Sequence, residues 1–353
     1  MLTRVIRIDP AAPDEERLRE AAALLHAGAL VAFPTETVYG LGANALDPEA
    51  LRRIYAVKGR PASNPLIAHG ASLQAFADLI GPPPEALVRL TPFWPGPLTV
   101  VLPASPRAPK ELSAGRGTVA LRIPDHPVAL ALLEVAGIPL AAPSANSFSR
   151  PSPTQAEHVL ADLGGAIPLV IDAGETPVGI ESSVVDLTVE PPALLRPGAL
   201  AYEELRKALP GLRLGVPHDS SLPPASPGLS RRHYSPRAPL FLYLGPDASV
   251  HEAIRRDAEV QRRAGRRVGL LATDSHCRAL CASPLVIHSL GPDDALEIAA
   301  SRLFSCLRAF DDEGIDRIYA VGVAESGMGR ALLDRLTRAA DGKVVVVGEQ
   351  GGT

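Results

Sequence analysis

Apolar residues along this chain cluster in short runs, and the polar residues between them change spacing from segment to segment. In the first two hundred residues, runs at 30–33, 65–69, 98–102, 118–123, 140–142, 169–172 and 183–187 have the length and composition of buried strands. Between them, 15–27, 48–57, 72–80, 84–91, 127–136 and 155–163 place apolar side chains at helical spacing. This irregular alternation predicts an α/β sandwich built on a twisted mixed sheet. From residue 240 onward the pattern is more regular. Strands at 240–244, 268–272, 317–323 and 344–347 alternate with helices at 249–264, 295–313 and 329–340. Strand–helix repetition of that kind predicts a smaller, Rossmann-like, doubly wound parallel sheet.

The two regions are joined by 213–239, a stretch rich in Pro, Ser and Gly with no apolar period, which reads as an extended connector. The expected organisation is therefore a first domain over 1–212, a connector over 213–239 and a second domain over 240–353. A chain of 353 residues with 46% apolar content can bury two such cores. Within the connector, Arg231-Arg232-His233-Tyr234-Ser235-Pro236 concentrates cations, an imidazole and a phenol that could meet an anion or stack on a ring; a solvated linker is the other reading.

Composition narrows the chemistry. The net charge of −4 gives no general basic excess for holding nucleic acid, although a local groove stays open. Cys277, Cys281 and Cys306 are odd in number and lack zinc spacing, so they read as reduced, mostly buried thiols of a cytoplasmic protein. Asp9, Asp14, Glu15 and Glu16 interrupt any leader-like apolar run, and no stretch approaches the length of a membrane span. No G-x-x-x-x-G-K-[ST] loop and no G-x-S-x-G elbow occurs.

Polar groups gather where strands end. Phe33-Pro-Thr35-Glu36-Thr37-Val-Tyr-Gly40-Leu-Gly42 closes a strand with hydroxyls, a carboxylate and two glycines, groups that suit a small polar ligand or a polar turn. Lys58-Gly-Arg60, followed by Asn64 and His69, reads either as helix-end cations or as a phosphate clamp with polar neighbours. Period-2 alternation puts Thr118, Ala120 and Arg122 on one strand face, where Arg122 needs an anion: a substrate carboxylate or an internal ion pair. Ala142-Pro-Ser144-Ala-Asn146 releases a Ser and an Asn at a strand end, as a binding edge or a turn cap. Glu181-Ser182-Ser183 opens a strand, and Leu194-Leu195-Arg196-Pro-Gly198 closes one.

In order, the segments FPTETVYGLGANA, KGRPASNPLIAHG, FWPGPLTVVLP, TVALRIPDHP, PSANSFSRPSPT, ESSVVDL and LLRPGA resemble the YrdC-like family. The connector SPGLSRRHYSP and the Rossmann-like tail extend the resemblance to its long, two-domain form. The resemblance implies joining of L-threonine, bicarbonate and ATP into threonylcarbamoyl-adenylate with release of pyrophosphate. It also implies a downstream complex that passes the group to a tRNA adenosine beside the anticodon. On that resemblance Lys58 and Arg60 are catalytic, and Thr35, Thr37, His69, Arg122 and Ser182 line the threonine pocket, with Thr35 the first choice of the two threonines. Arg60, Asn64, Thr118, Ala142, Ser144, Asn146, Ser152 and Arg196 take the nucleotide, and Tyr234 closes over it as a lid. Mg2+ accompanies ATP, held by its phosphates. The same fold also suggests a hydrolase of the adenylate or a double-stranded-RNA-binding module, and direct tRNA contact is left open.

Overall fold

A computed structural model describes residues 2–215, 228 and 232–348. The connector residues 216–227 and 229–231, Arg231 among them, lie outside the described residues. The chain forms two compact units: 1–148 with 152–230, and 149–151 with 231–353.

The first unit carries strands β1 (Arg4–Arg7), β2 (Val31–Phe33), β3 (Gly40–Asn44), β4 (Ile67–His69), β5 (Leu98–Pro103), β6 (Thr118–Arg122), β7 (Leu140–Ala141), β8 (Leu169–Asp172), β9 (Ser183–Asp186), β10 (Ala193–Arg196) and β11 (Arg213–Leu214). They make one mixed sheet in the order β1-β8-β2-β3-β7-β4-β6-β5-β9-β10-β11. Its helices are α1 (Glu15–His26), α2 (Pro48–Lys58), α3 (Lys110–Ser113), α4 (Pro127–Ala136), α5 (Ala156–Leu163) and α6 (Tyr202–Ala208). One apolar cluster gathers Leu41, Leu51, Ile54, Leu66, Val100, Leu121 and Val185; a second joins α1 and α4 through Leu18, Leu25, Val128 and Leu132.

Local chemistry sets the helix that matters most for the site. Asp47 caps α2 by accepting from the Glu49 N–H at 2.9 Å, and Pro48 supplies a preset first turn. Gly59 ends it in the left-handed region at φ 63°, so the chain turns sharply between Lys58 and Arg60.

Three expectations change. Segments 72–80 and 84–91 form only short 3₁₀ turns, Leu73–Phe76 and Glu85–Arg89, because the prolines at 82–84 remove donors and fix φ where a helix would run on. The glycine run at 40–44 is not a loop but β3, paired antiparallel with β2. A Cβ at Gly42 would lie 2.8 Å from the Phe33 ring, so glycine is what lets the strand lie against that ring. Arg213–Leu214, inside the stretch read as connector, pair in parallel with β10.

The second unit is an all-parallel sheet of β12 (Leu240–Leu244), β13 (Val268–Ala272), β14 (Val286–Ser289), β15 (Arg317–Val321) and β16 (Val344–Val346), ordered β14-β13-β15-β12-β16. Its helices are α7 (Asp247–Arg263), α8 (Asp274–Leu280), α9 (Leu296–Asp312) and α10 (Met328–Ala340). β14 and α8 were absent from the sequence reading: β14 has only two apolar residues, and α8 opens on Asp274, Ser275 and His276. The fold class is the expected one, a large mixed sheet followed by a smaller parallel α/β sheet. Among the described residues no helix is long and apolar enough to cross a membrane.

Candidate active site

The loop after β2 is built by its own hydroxyls. Pro34 ends the ladder, and the Thr35 Oγ1 accepts from the N–H groups of Thr37 (3.2 Å) and Val38 (3.3 Å) while lying 2.7 Å from the Val38 carbonyl oxygen. It also shares a hydrogen bond with Thr37 Oγ1 at 2.8 Å. Thr35 is thereby engaged in shaping the turn. Thr37 contributes its hydroxyl to the same turn through that one hydrogen bond.

Register brings the next group together. β4 and β6 run parallel with His69 opposite Arg122. Arg122 is buried, and its Nη2 lies 2.7 Å from Glu36 Oε2, an ionic contact without hydrogen-bond alignment; Nε reaches the Gly96 carbonyl at 3.4 Å. The internal ion pair is thus the partner that Arg122 has in this structure. Both Glu36 oxygens and the Nδ1 of His126, four residues beyond Arg122, are buried without a hydrogen-bond partner. His69 sits edge-on to Phe33, with Nδ1 3.2 Å from the Ile67 carbonyl. Burial first, and the Arg122 charge second, push its pKa down to about 3. It is a neutral imidazole.

A second group forms around the end of α2. Lys58 Nζ donates to the Ser144 carbonyl at 2.5 Å and to that of Asn146. Arg60 donates from Nε to the Asn64 carbonyl (3.1 Å) and from Nη2 to Asn64 Oδ1 and the Pro65 carbonyl (2.7 Å each). Ala142 N–H donates to Ile67 O, which ties the following loop to β4. Thr118 opens β6, at the opposite end from Arg122. Four residues at about 3.3 Å each put the two ends of β6 roughly 13 Å apart.

A third group includes Ser182, Arg196 and Ser152. The Arg196 guanidinium donates to the Ser182 carbonyl from Nε (3.1 Å) and Nη2 (3.0 Å), and Ser182 Oγ pairs with Thr99 Oγ1 at 2.7 Å. These contacts of Arg196 hold Ser182 in place. Ser152 Oγ donates to the buried Glu181 carboxylate. A Cβ at Gly198 would fall 2.3 Å from the Ser182 carbonyl carbon and the Ser183 nitrogen, so only glycine fits there.

Tyr234 belongs to the second unit. Its ring is buried there, stacked on Phe304 at 5.3 Å and beneath the Arg335 guanidinium at 5.2 Å, with a left-handed φ of 60°. These contacts describe how the side chain packs within the second unit.

Glu36, His126 and Glu181 were not among the expected site residues. The signal was available: a carboxylate between two threonines at a strand end, a histidine in Ile-Pro-Asp-His-Pro, and a glutamate before two serines. Among the described residues no three His, Cys, Asp or Glu side chains converge as a metal site. The cations and hydroxyls gathered here are groups that suit phosphate and carboxylate.

Lys58, Arg60, Arg122 and Arg196 are buried cations on elements that also carry strand-end hydroxyls, residue types suited to small anionic ligands of an enzyme. The family model described as "Telomere recombination" matches residues 23–198, and the model "Threonylcarbamoyl-AMP synthase, C-terminal domain" matches 200–341. The Bacillus subtilis threonylcarbamoyl-AMP synthase is 42% identical over 341 residues, covering 96% of each chain. The Pyrococcus abyssi threonylcarbamoyl-AMP synthase is 44% identical over 337 residues, covering 95% of this chain and 97% of that one. A crystal structure of P. abyssi Sua5 complexed with L-threonine superposes with a TM-score of 0.90 at 42% identity, covering 98% of this chain and all of that one. The chain belongs to the threonylcarbamoyl-AMP synthase family.

Proposed function

We propose that the first unit condenses L-threonine, bicarbonate and ATP into threonylcarbamoyl-adenylate and pyrophosphate, as a nucleotidyltransferase. The observation that carries this is the burial of Lys58, Arg60, Arg122 and Arg196 at 4%, 6%, 4% and 3% exposure around strand-end loops. Buried guanidinium and ammonium groups beside strand-end hydroxyls are the groups with which a triphosphate and an amino-acid carboxylate would be recognised. In this reading Arg122 exchanges Glu36 for the threonine carboxylate, and Thr37, His69 and Ser182 line the rest of the amino-acid pocket around the loop that Thr35 shapes. Lys58 and Arg60, aimed by the main-chain carbonyls they contact, face the phosphates; Asn64, Thr118, Ala142, Ser144, Asn146 and Ser152 line the nucleotide side.

The reaction needs no side-chain nucleophile. Threonine nitrogen is carboxylated, the carbamate oxygen forms a bond to the α-phosphorus, and the α–β bridging bond breaks to release pyrophosphate. Negative charge on the phosphate oxygens is met by cations already in position, so catalysis is placement plus electrostatics. Mg2+ belongs to the ATP complex. The product is a carrier of the threonylcarbamoyl group for a tRNA-modifying complex in the cytoplasm; the near-neutral net charge gives direct tRNA binding no general support.

Purified protein is expected to release pyrophosphate from ATP only when both threonine and bicarbonate are present. Release without threonine, or none with all three, overturns the reading.

A further inference from the structure

Carboxylation of an amino acid at neutral pH has a proton to place. Threonine enters as an ammonium; its nitrogen forms a bond to the bicarbonate carbon, and the C–OH bond of bicarbonate breaks. One ammonium proton leaves with that hydroxide as water. A second must be taken up, leaving N–H and a carboxylate: R-NH3+ and HCO3− give R-NH-COO−, H2O and H+. In a site of buried cations an acceptor has to be built in.

We infer that His126 is the acceptor of this second proton, an inference that rests on the synthase reading above. His126 stands at the N-cap of α4, where side chains ordinarily cap, yet its ring makes no capping hydrogen bond. Instead Nδ1 is buried without a partner. An unsatisfied buried ring nitrogen carries a cost that a purely structural residue would avoid. The Glu36 oxygens, beside the Arg122 guanidinium, are equally without aligned partners. A zwitterion matches this arrangement, its carboxylate at Arg122 and its ammonium at Glu36. The proton then passes to Nδ1.

Electrostatics agree with the geometry. Burial lowers the pKa of His126, so the imidazole is neutral and able to accept, while the Glu36 and Asp125 carboxylates partly offset that and favour the imidazolium once formed. Arg122 lies against Glu36, and neutral His69 stands opposite Arg122 across the strand pair. The reaction should therefore lose rate on acidification through a group titrating below the ordinary histidine range.

The test uses the full chain with ATP, threonine and bicarbonate, following pyrophosphate release from pH 5 to 8.5, with threonine binding measured in parallel by calorimetry. H126Q, which keeps a polar side chain but takes up no proton, is expected to bind threonine within threefold of wild type. It should lose rate about 100-fold and lose the acid limb. H126A is expected to recover rate on addition of imidazole. A wild-type rate in H126Q overturns the inference. So does a reduced rate with the acid limb unchanged and no imidazole rescue, which is the outcome of a structural role. Absence of threonine-dependent release in the wild-type chain is a separate failure, that of the synthase reading itself.

Discussion

Replacing Arg122 with methionine isolates the buried ion pair. Methionine keeps most of the apolar stem and removes the charge, leaving the Glu36 carboxylate in a dry site without its cation. At the 2.7 Å separation and an effective dielectric of about 20, the attraction is roughly 6 kcal/mol before desolvation. Much of that is offset by taking two ions out of water, and deleting one partner of such a pair typically costs about 3–5 kcal/mol. The double variant E36Q/R122M removes both charges and should recover most of that loss, because no uncompensated ion remains. Urea unfolding of the first unit, followed at pH 7.5 in wild type, both single variants and the double, gives the coupling directly. Threonine binding should be lost in R122M and in the double variant alike. If R122M costs under 1 kcal/mol, or the double variant is no more stable than R122M, the pair is not buried and coupled as described. Retained threonine affinity in R122M would remove Arg122 from the pocket.

Arg60→Ala should cut pyrophosphate release by about 100-fold and destabilise by about 1–3 kcal/mol, since it strips a donor from the Asn64 and Pro65 carbonyls; steady-state kinetics with thermal melts check both, and near-normal turnover would exclude it from the site. Gly198→Ala pushes a methyl into the Ser182–Ser183 backbone at 2.3 Å, so threonine affinity should fall with a stability loss of about 1–3 kcal/mol; an unchanged calorimetric titration would contradict the close approach. His69 titrates near 6.5 when unfolded and at about 3 when folded, so the unfolded chain binds the extra proton in that window. Its contribution to stability is present above pH 6.5 and is lost toward pH 3, at up to about 1.4 kcal/mol per pH unit. H69N should flatten the urea midpoint against pH between 6.5 and 4.5, and an unaltered slope would show that His69 is not buried in its neutral form.

Strands with strong apolar character were legible at once: 98–102, 118–123, 169–172, 240–244 and 268–272 correspond to β5, β6, β8, β12 and β13 to within a residue. The class of each sheet followed from the alternation. What periodicity could not show was β3, where glycine stands because the Phe33 ring occupies the space a side chain would take. In the site, the residue types were visible but their pairing was not. Arg122 was readable as a strand cation in need of an anion; that Glu36, 86 positions earlier, supplies it depends on the loop after β2 folding over the end of β6. Hydroxyl roles were equally hidden, since only the hydrogen bonds show Thr35 closing its own turn.

The alignment of His69 with Arg122 on adjacent parallel strands has a practical implication for anyone reshaping the pocket. Main-chain ladders, not side-chain contacts, fix the gap between these two groups, so they behave as a gauge whose setting no point substitution at the rim can change. Accepting a bulkier or smaller amino acid would have to come from groups outside that ladder, the turn bearing Thr37 and the serine held by Arg196, while the spacing of the two strand ends stays constant.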